Sequence, residues 1–154
     1  MPESAINHVG FTIRPATLPD VQHVIRLDAQ ITAVPKPKYW IELFEHYGTE
    51  GTDHFFLVAV SNNELLGFII GEVRAWEFGS PPCGWIFTIA VAPNTRLGGI
   101  GTALFDAICG EFRKVKVSKI RTMIARDSQL ILSFFRSQGM MAGPFTELEK
   151  ELDE

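Results

Sequence analysis

Residues 91 to 104 read VAPNTRLGGIGTAL, with Gly98, Gly99 and Gly101 close together behind an apolar run. Bare glycine backbone lets an anion approach amide groups closely. The start of a helix leaves about four amides without internal partners, and its dipole favours negative charge. Arg96 is placed to neutralise that charge. The chemistry this spacing allows is the holding of a phosphate or pyrophosphate. Two familiar cradles do not fit. No Lys follows Gly101, as a P-loop would need. Gly99-Ile-Gly101 is followed at 104 by Leu, where the dinucleotide fingerprint needs a small residue. A tight strand-to-helix turn is the competing reading, and on this stretch alone the two are about even.

The elements around it are expected as follows. Residues 1–10 form a short lead-in, and residues 11–154 form one domain. FTIRPA (11–16) alternates like a strand and stops at Pro15. Thr17 caps a helix that Pro19 and Asp20 begin and that Val21, Val24 and Ile25 continue, with Asp28 on another face. Trp40, Leu43, Phe44 and Tyr47 have helical spacing, and Gly48 ends that helix. HFFLVAV (54–60) and LLGFIIGEVRA (65–75) are two strands of a hairpin across a short polar turn. GWIFTIAVAP (84–93) is the next strand after a long, irregular connection. A helix runs from about Gly101 to Val115, with Leu104, Phe105, Ile108 and Phe112 as its buried stripe. KIRTMIA (119–125) is a strand, SQLILSFFRSQG (128–139) a helix opened by an Asp127 cap, and FTELEKEL alternates like a closing strand. The order βααβββαβαβ is that of a mixed α/β domain of the α+β type.

Arg96-Leu-Gly-Gly99-Ile-Gly101 matches the R/Q-x-x-G-x-G/A signature of the GNAT superfamily of acetyl-CoA-dependent N-acetyltransferases. The chain resembles that family on both sides of the motif, in FTIRPATLPD, IFTIAVAPNTR and DSQLILSFFRSQGM. The resemblance covers residues 11 to 139 in order. It implies a mostly antiparallel sheet flanked by helices, whose central strands splay apart to hold acetyl-CoA. The backbone of Ile89, Ala90 and Val91 would pair with the pantetheine arm. The amides of Leu97, Gly98, Gly99, Ile100, Gly101 and Thr102 would hold the pyrophosphate, with Arg96 beside them. The Val91 N–H would polarise the thioester carbonyl. Ser128 stands where the family usually has Asn, and still offers a hydrogen bond to the cofactor.

The chain departs from the family in its acid and base. The family commonly places a Tyr general acid four residues before the late glycine. Here that position is Phe135, which keeps a cofactor contact but has no proton to donate. Family members with a side-chain base often carry Glu or His at the positions of Trp85 and Phe87. Neither can accept a proton. If the second and third meander strands pair about a centre near Gly79, Glu72 falls opposite Phe87 and Arg74 opposite Trp85. Glu72 is then the candidate base or amine anchor, and Arg74 a clamp for an acidic acceptor. A slip of one residue would turn Glu72 to the other face, where it is a plain surface carboxylate. His54, beside Asp53, reads as a surface or capping residue, and His8, His23 and His46 have no chemical context. Trp40, Phe44, Trp76, Trp85 and Phe87 either line an apolar acceptor pocket or fill the core.

Composition bounds the function. Fourteen Lys and Arg against eighteen Asp and Glu argue against binding driven by nucleic-acid phosphates. Cys83 and Cys109 have no metal or disulfide spacing, so no metal is expected. No basic-then-apolar leader or membrane-length apolar run occurs, which predicts a soluble cytoplasmic protein. The expected function is acetyl transfer from acetyl-CoA to a primary amine, of a small molecule or a peptide, in a ternary complex. The alternatives are an acyl-CoA-binding module with little catalysis and, with least support, a protein-interaction domain. A homodimer is possible, as is common in the family.

Overall fold

A computed structural model describes residues 5–153, apart from the side chains of Arg96 and Leu97. The chain divides into two compact units, with the boundary between Met123 and Ile124. The first unit carries a six-stranded sheet in sequence order. Its strands are β1 (Ile6–His8), β2 (Phe11–Pro15), β3 (His54–Ser61), β4 (Glu64–Arg74), β5 (Cys83–Val91) and β6 (Ile120–Thr122). Pairing is antiparallel from β1 to β5, and β6 joins β5 in parallel.

Helices α1 (Asp20–Thr32) and α2 (Pro37–Tyr47) contribute Val21, Val24, Leu27 and Trp40 to a core with Phe56, Val58, Phe68 and Ile70 of the sheet. Residues on the alternate positions of β4 meet α3 (Ile100–Lys114) instead. There the bare positions Gly67 and Gly71 admit Leu104, Ile108 and Phe112. The sheet is thus covered on both faces. The β3–β4 turn runs through Asn62 and Asn63, both with positive φ (49° and 65°). That is the turn whose twist suits a two-residue hairpin, and Asn tolerates it better than most residues.

Four sequence expectations are corrected. The lead-in contains β1, which the periodicity missed because Ile6–His8 is exposed throughout. Thr17 does not cap α1. Its amide and hydroxyl instead donate to Asp20 Oδ2 at 2.7 and 2.9 Å. Residues 119–125 form a strand only over Ile120–Thr122. The alternating FTELEKEL is not a strand, and Phe145, Leu148 and Leu152 are exposed. Alternation prepares a segment for a sheet but does not supply the neighbour that accepts its hydrogen bonds.

Asp20 illustrates what pins α1 to the sheet. It is 6% exposed and takes both terminal nitrogens of Arg14, at 2.7 and 3.0 Å, besides Thr17. Burial raises its pKa, but the hydrogen bonds and charge of Arg14 and the Thr17 donors outweigh this and hold the carboxyl below its ordinary value. A depressed folded pKa means stability that is present above the unfolded value of about 3.9 and lost as pH falls through the folded value. Asp20→Asn is expected to cost about 2 kcal/mol near neutrality, a modest figure for a buried pair because Arg14 is partly exposed. Urea titrations of both proteins should show that gap at neutral pH and its shrinkage in acid. Equal midpoints at neutral pH would remove Asp20 from this role.

Candidate active site

At the end of β5 the chain enters a 3-10 turn, Pro93–Gly98. The amide and hydroxyl of Thr95 both donate to Ala92 O, at 3.0 and 2.9 Å, and brace that turn. Gly99 follows with φ 75° and serves as the N-cap of α3, which has no side-chain cap. A left-handed residue at this point suits glycine, and a Cβ on Gly99 would meet nothing within 4 Å. The helix therefore begins at Ile100, one residue before the sequence expectation. Ile100 is buried and anchors the first turn, Gly101 is half-buried, and Gly98, Gly99 and Thr102 are exposed. The amide of Ala103 is the one that returns to Gly99 O, at 3.0 Å. Those of Ile100 and Gly101 precede any carbonyl the helix could offer, so they point out of its end. The Arg96 and Leu97 side chains, and with them the expected charge neutralisation by Arg96, lie outside the described residues.

Beside this turn, the sheet opens. β6 pairs with β5 at Gly84, Trp85 and Ile86 only, among the described residues. From Thr88 to Val91, β5 keeps its pairing with β4 alone. Ala92 N donates to Leu66 O at 2.8 Å. In an antiparallel ladder, alternate residues direct their polar backbone groups to the same neighbour. Ala92 and Ala90 therefore face β4, while Val91 and Ile89 present their N–H and C=O groups to the opening. Ala90 has its backbone engaged with Phe68 across the ladder, so Ile89 and Val91 are the members of the expected trio with outward amides.

The side of β5 that faces α2 holds the polar cluster. The β4–β5 register differs from the sequence expectation. Glu72 stands opposite Trp85 and Arg74 opposite Cys83. A bulge between Ile70 and Gly71 leaves Phe87 as the extra residue. The shift from the expected register is two residues, so Glu72 stays on the expected face. Its Oε1 accepts a hydrogen bond from Tyr47 Oη at 3.2 Å, and its Oε2 one from Arg74 Nε at 3.3 Å. The Arg74 guanidinium carbon lies 4.8 Å from the Trp85 ring centroid. The Tyr47 ring lies 4.9 Å from that of Phe87. Burial, then the charge and hydrogen bond of Glu72, push the Tyr47 phenol above its ordinary pKa. It is a donor at any working pH.

Tyr47 is the site residue the sequence reading missed. Helical spacing placed it on the apolar face of α2, and the ring does pack there. Its hydroxyl reaches a partner 25 residues away. The available signal was chemical, since a phenol on a core-facing stripe needs a hydrogen-bond partner. Of the aromatic candidates, Trp40 is core, 3% exposed and bonded through Nε1 to Asp28 Oδ2 at 3.0 Å. Phe44 packs on Phe56, and Trp76 is 68% exposed. Trp85 and Phe87 are half-buried beside Glu72. His54 Nδ1 lies 2.7 Å from Asp53 Oδ1, and its Nε2 lies 3.1 Å from Thr49 O.

The second unit contains α4 (Gln129–Ser137). Ser128 occupies the N-cap position, and no side chain caps the helix, so Asp127 does not have the expected role. Phe135 is buried, with Phe134 edge-on at 5.3 Å between centroids. Gly139, with φ 93°, turns the chain out of the helix.

A model of the acetyltransferase (GNAT) family matches residues 21–140. An N-alpha-acetyltransferase of Sulfolobus acidocaldarius is 29% identical over 112 residues, which cover 68% of this chain and 63% of that protein. The chain thus spans less than two thirds of the relative's length. Among solved structures, the aminoglycoside 6'-N-acetyltransferase AAC(6')-Ih of Acinetobacter baumannii has a TM-score of 0.78 at 16% identity, covering 94% of this chain and 100% of that one. The aminoglycoside acetyltransferase AAC(6')-Iy, solved with a CoA bisubstrate analogue of acetylneamine, has a TM-score of 0.80 at 14% identity, covering 96% and 100%. These likenesses are of fold.

Proposed function

We propose that this chain, which belongs to the acetyltransferase (GNAT) family, moves an acetyl group from acetyl-CoA to a primary amine by direct attack. The observation that carries the reading is the open edge of β5, with Ile89 and Val91 amides directed into it and the Gly98–Gly101 turn at its end. The pantetheine arm is a chain of amides, and an unpaired strand edge is the complementary surface. The α3 amides suit a pyrophosphate.

In this reading the amine nitrogen bonds to the thioester carbonyl carbon and the C–S bond then breaks. The Val91 N–H stabilises the developing oxyanion, a role that requires no side chain. The amine gives up a proton, to Glu72 directly or to water. CoA leaves as a thiolate of pKa about 8.5, so the missing phenol at Phe135 slows but does not forbid the step. Ser128 and Phe135 remain proposed cofactor contacts, as do Arg96, Leu97 and Thr102. The side chain at 135 also favours a second reading, an acyl-CoA-binding module with little catalysis.

Mass-spectrometric screening of amines and peptides with acetyl-CoA separates the two. Acetylation of any acceptor above the uncatalysed rate rejects the module. Glu72→Gln is expected to lower kcat/KM for the amine by roughly 10²-fold, the lower end of a general-base contribution. A variant that retains the acidic limb of its pH–rate profile removes Glu72 from the base role and leaves it the anchor.

A further inference from the structure

Glu72 is built into an unusual wall for a carboxylate. Tyr47 and Arg74 each hold one of its oxygens, and the rings of Tyr47, Phe87 and Trp85 are half-buried around it. A carboxylate oxygen has two lone-pair directions. One on each is taken, so one direction on each oxygen remains for a single ammonium, and the charge is shared with Arg74. A polycation would find one shared counter-charge here. A single ammonium on a flat apolar body would find the carboxylate and the half-buried apolar area of the Tyr47 and Phe87 rings to cover, while Arg74 lies over Trp85.

We infer that Tyr47 is the positioning residue for Glu72, and that this wall selects a primary amine borne on an aromatic or similarly flat apolar body over a polyamine sugar. The inference rests on the proposed role of this face in holding the acetyl acceptor. Tyr47 performs both tasks through different atoms: Oη fixes the carboxylate and the ring forms the floor beside Phe87. The two tasks are therefore separable by substitution. Tyr47→Phe removes the hydroxyl and keeps the ring, whereas Tyr47→Leu removes both.

The test compares phenethylamine with neamine as acceptors and measures phenethylamine binding to the CoA-loaded protein by calorimetry. Phenethylamine is expected to have the higher kcat/KM. Tyr47→Phe should raise its KM about fivefold, the worth of one hydrogen bond, with the KM for acetyl-CoA unchanged within about twofold. Tyr47→Leu should raise KM further. A merely structural tyrosine would move both KM values together. A preference for neamine, or an unchanged amine KM in Tyr47→Phe, overturns the inference while leaving acetyl transfer standing. If neither amine is acetylated, calorimetry decides. Weaker phenethylamine binding in Tyr47→Phe keeps the wall without transfer to either amine, and absence of binding to the wild type overturns the wall.

Discussion

Gly99→Glu is expected to weaken acetyl-CoA binding about 100-fold or more while the protein stays folded. The site around Gly99 is open, so the new side chain meets no neighbour. Its φ of 75° costs a non-glycine residue roughly 1 kcal/mol. A carboxylate at the start of α3 recovers part of that through the helix dipole. The same carboxylate occupies the position proposed for the pyrophosphate and repels it. Charge-assisted hydrogen bonds of about 1.5–3 kcal/mol each are then lost, and a 100-fold loss needs only about 2.7 kcal/mol. Gly99→Ala carries the backbone strain without the charge, so it should bind within about threefold of the wild type and melt slightly earlier. Calorimetry and thermal melts read the two effects apart. Near-native affinity in the Glu variant would remove the pyrophosphate from this turn.

Phe112→Ala should damage the core severely, at a cost of about 3–5 kcal/mol. Against a typical total of about 5–15 kcal/mol that is a large share, and the melting temperature should drop by roughly 10 °C. Phe112 is 1% exposed. Its ring lies edge-on to Phe55 at 5.3 Å between centroids and against the bare faces of Gly71 and Gly84. A Cβ on Gly84 would lie 2.8 Å from three of its ring atoms. Gly84→Ala should therefore destabilise the wild type but do less harm in a Phe112→Leu background. A double-mutant cycle by urea denaturation should return a coupling of about 1 kcal/mol or more. Additive effects would mean the ring does not rest on that glycine. The contact matters beyond stability, since Gly84 begins the stretch where β5 and β6 remain paired before the sheet opens.

The glycine turn was legible because its parts are contiguous. The end of an apolar strand, the glycines and an amphipathic helix follow one another, and each acts on its immediate neighbours. The family resemblance at Arg96, Gly99 and Gly101 rests on the same contiguity, and the phenylalanine at 135 could be counted back from Gly139. The mixed sheet with flanking helices also followed from local periodicity. The β4–β5 register did not. It depends on where a bulge relieves the pairing of two strands joined by an irregular connection, and nothing at Phe87 alone announces that choice.

The sequence by itself determined the glycine turn, the family and the phenylalanine at 135, because those are properties of residues near one another in the chain. Tertiary structure alone decided what surrounds Glu72. Tyr47 comes from a helix, Arg74 from the same strand and Trp85 from the next. Hydrogen bonds of about 3 Å and ring contacts of about 5 Å select one register among several that hydrophobic alternation allows. β1 was missed for another reason, since it pairs with its chain neighbour β2 and Ile6–His8 is exposed throughout, but FTELEKEL follows the same rule. Whether a segment becomes a strand depends on a partner edge, and that edge exists only after the rest of the chain has folded.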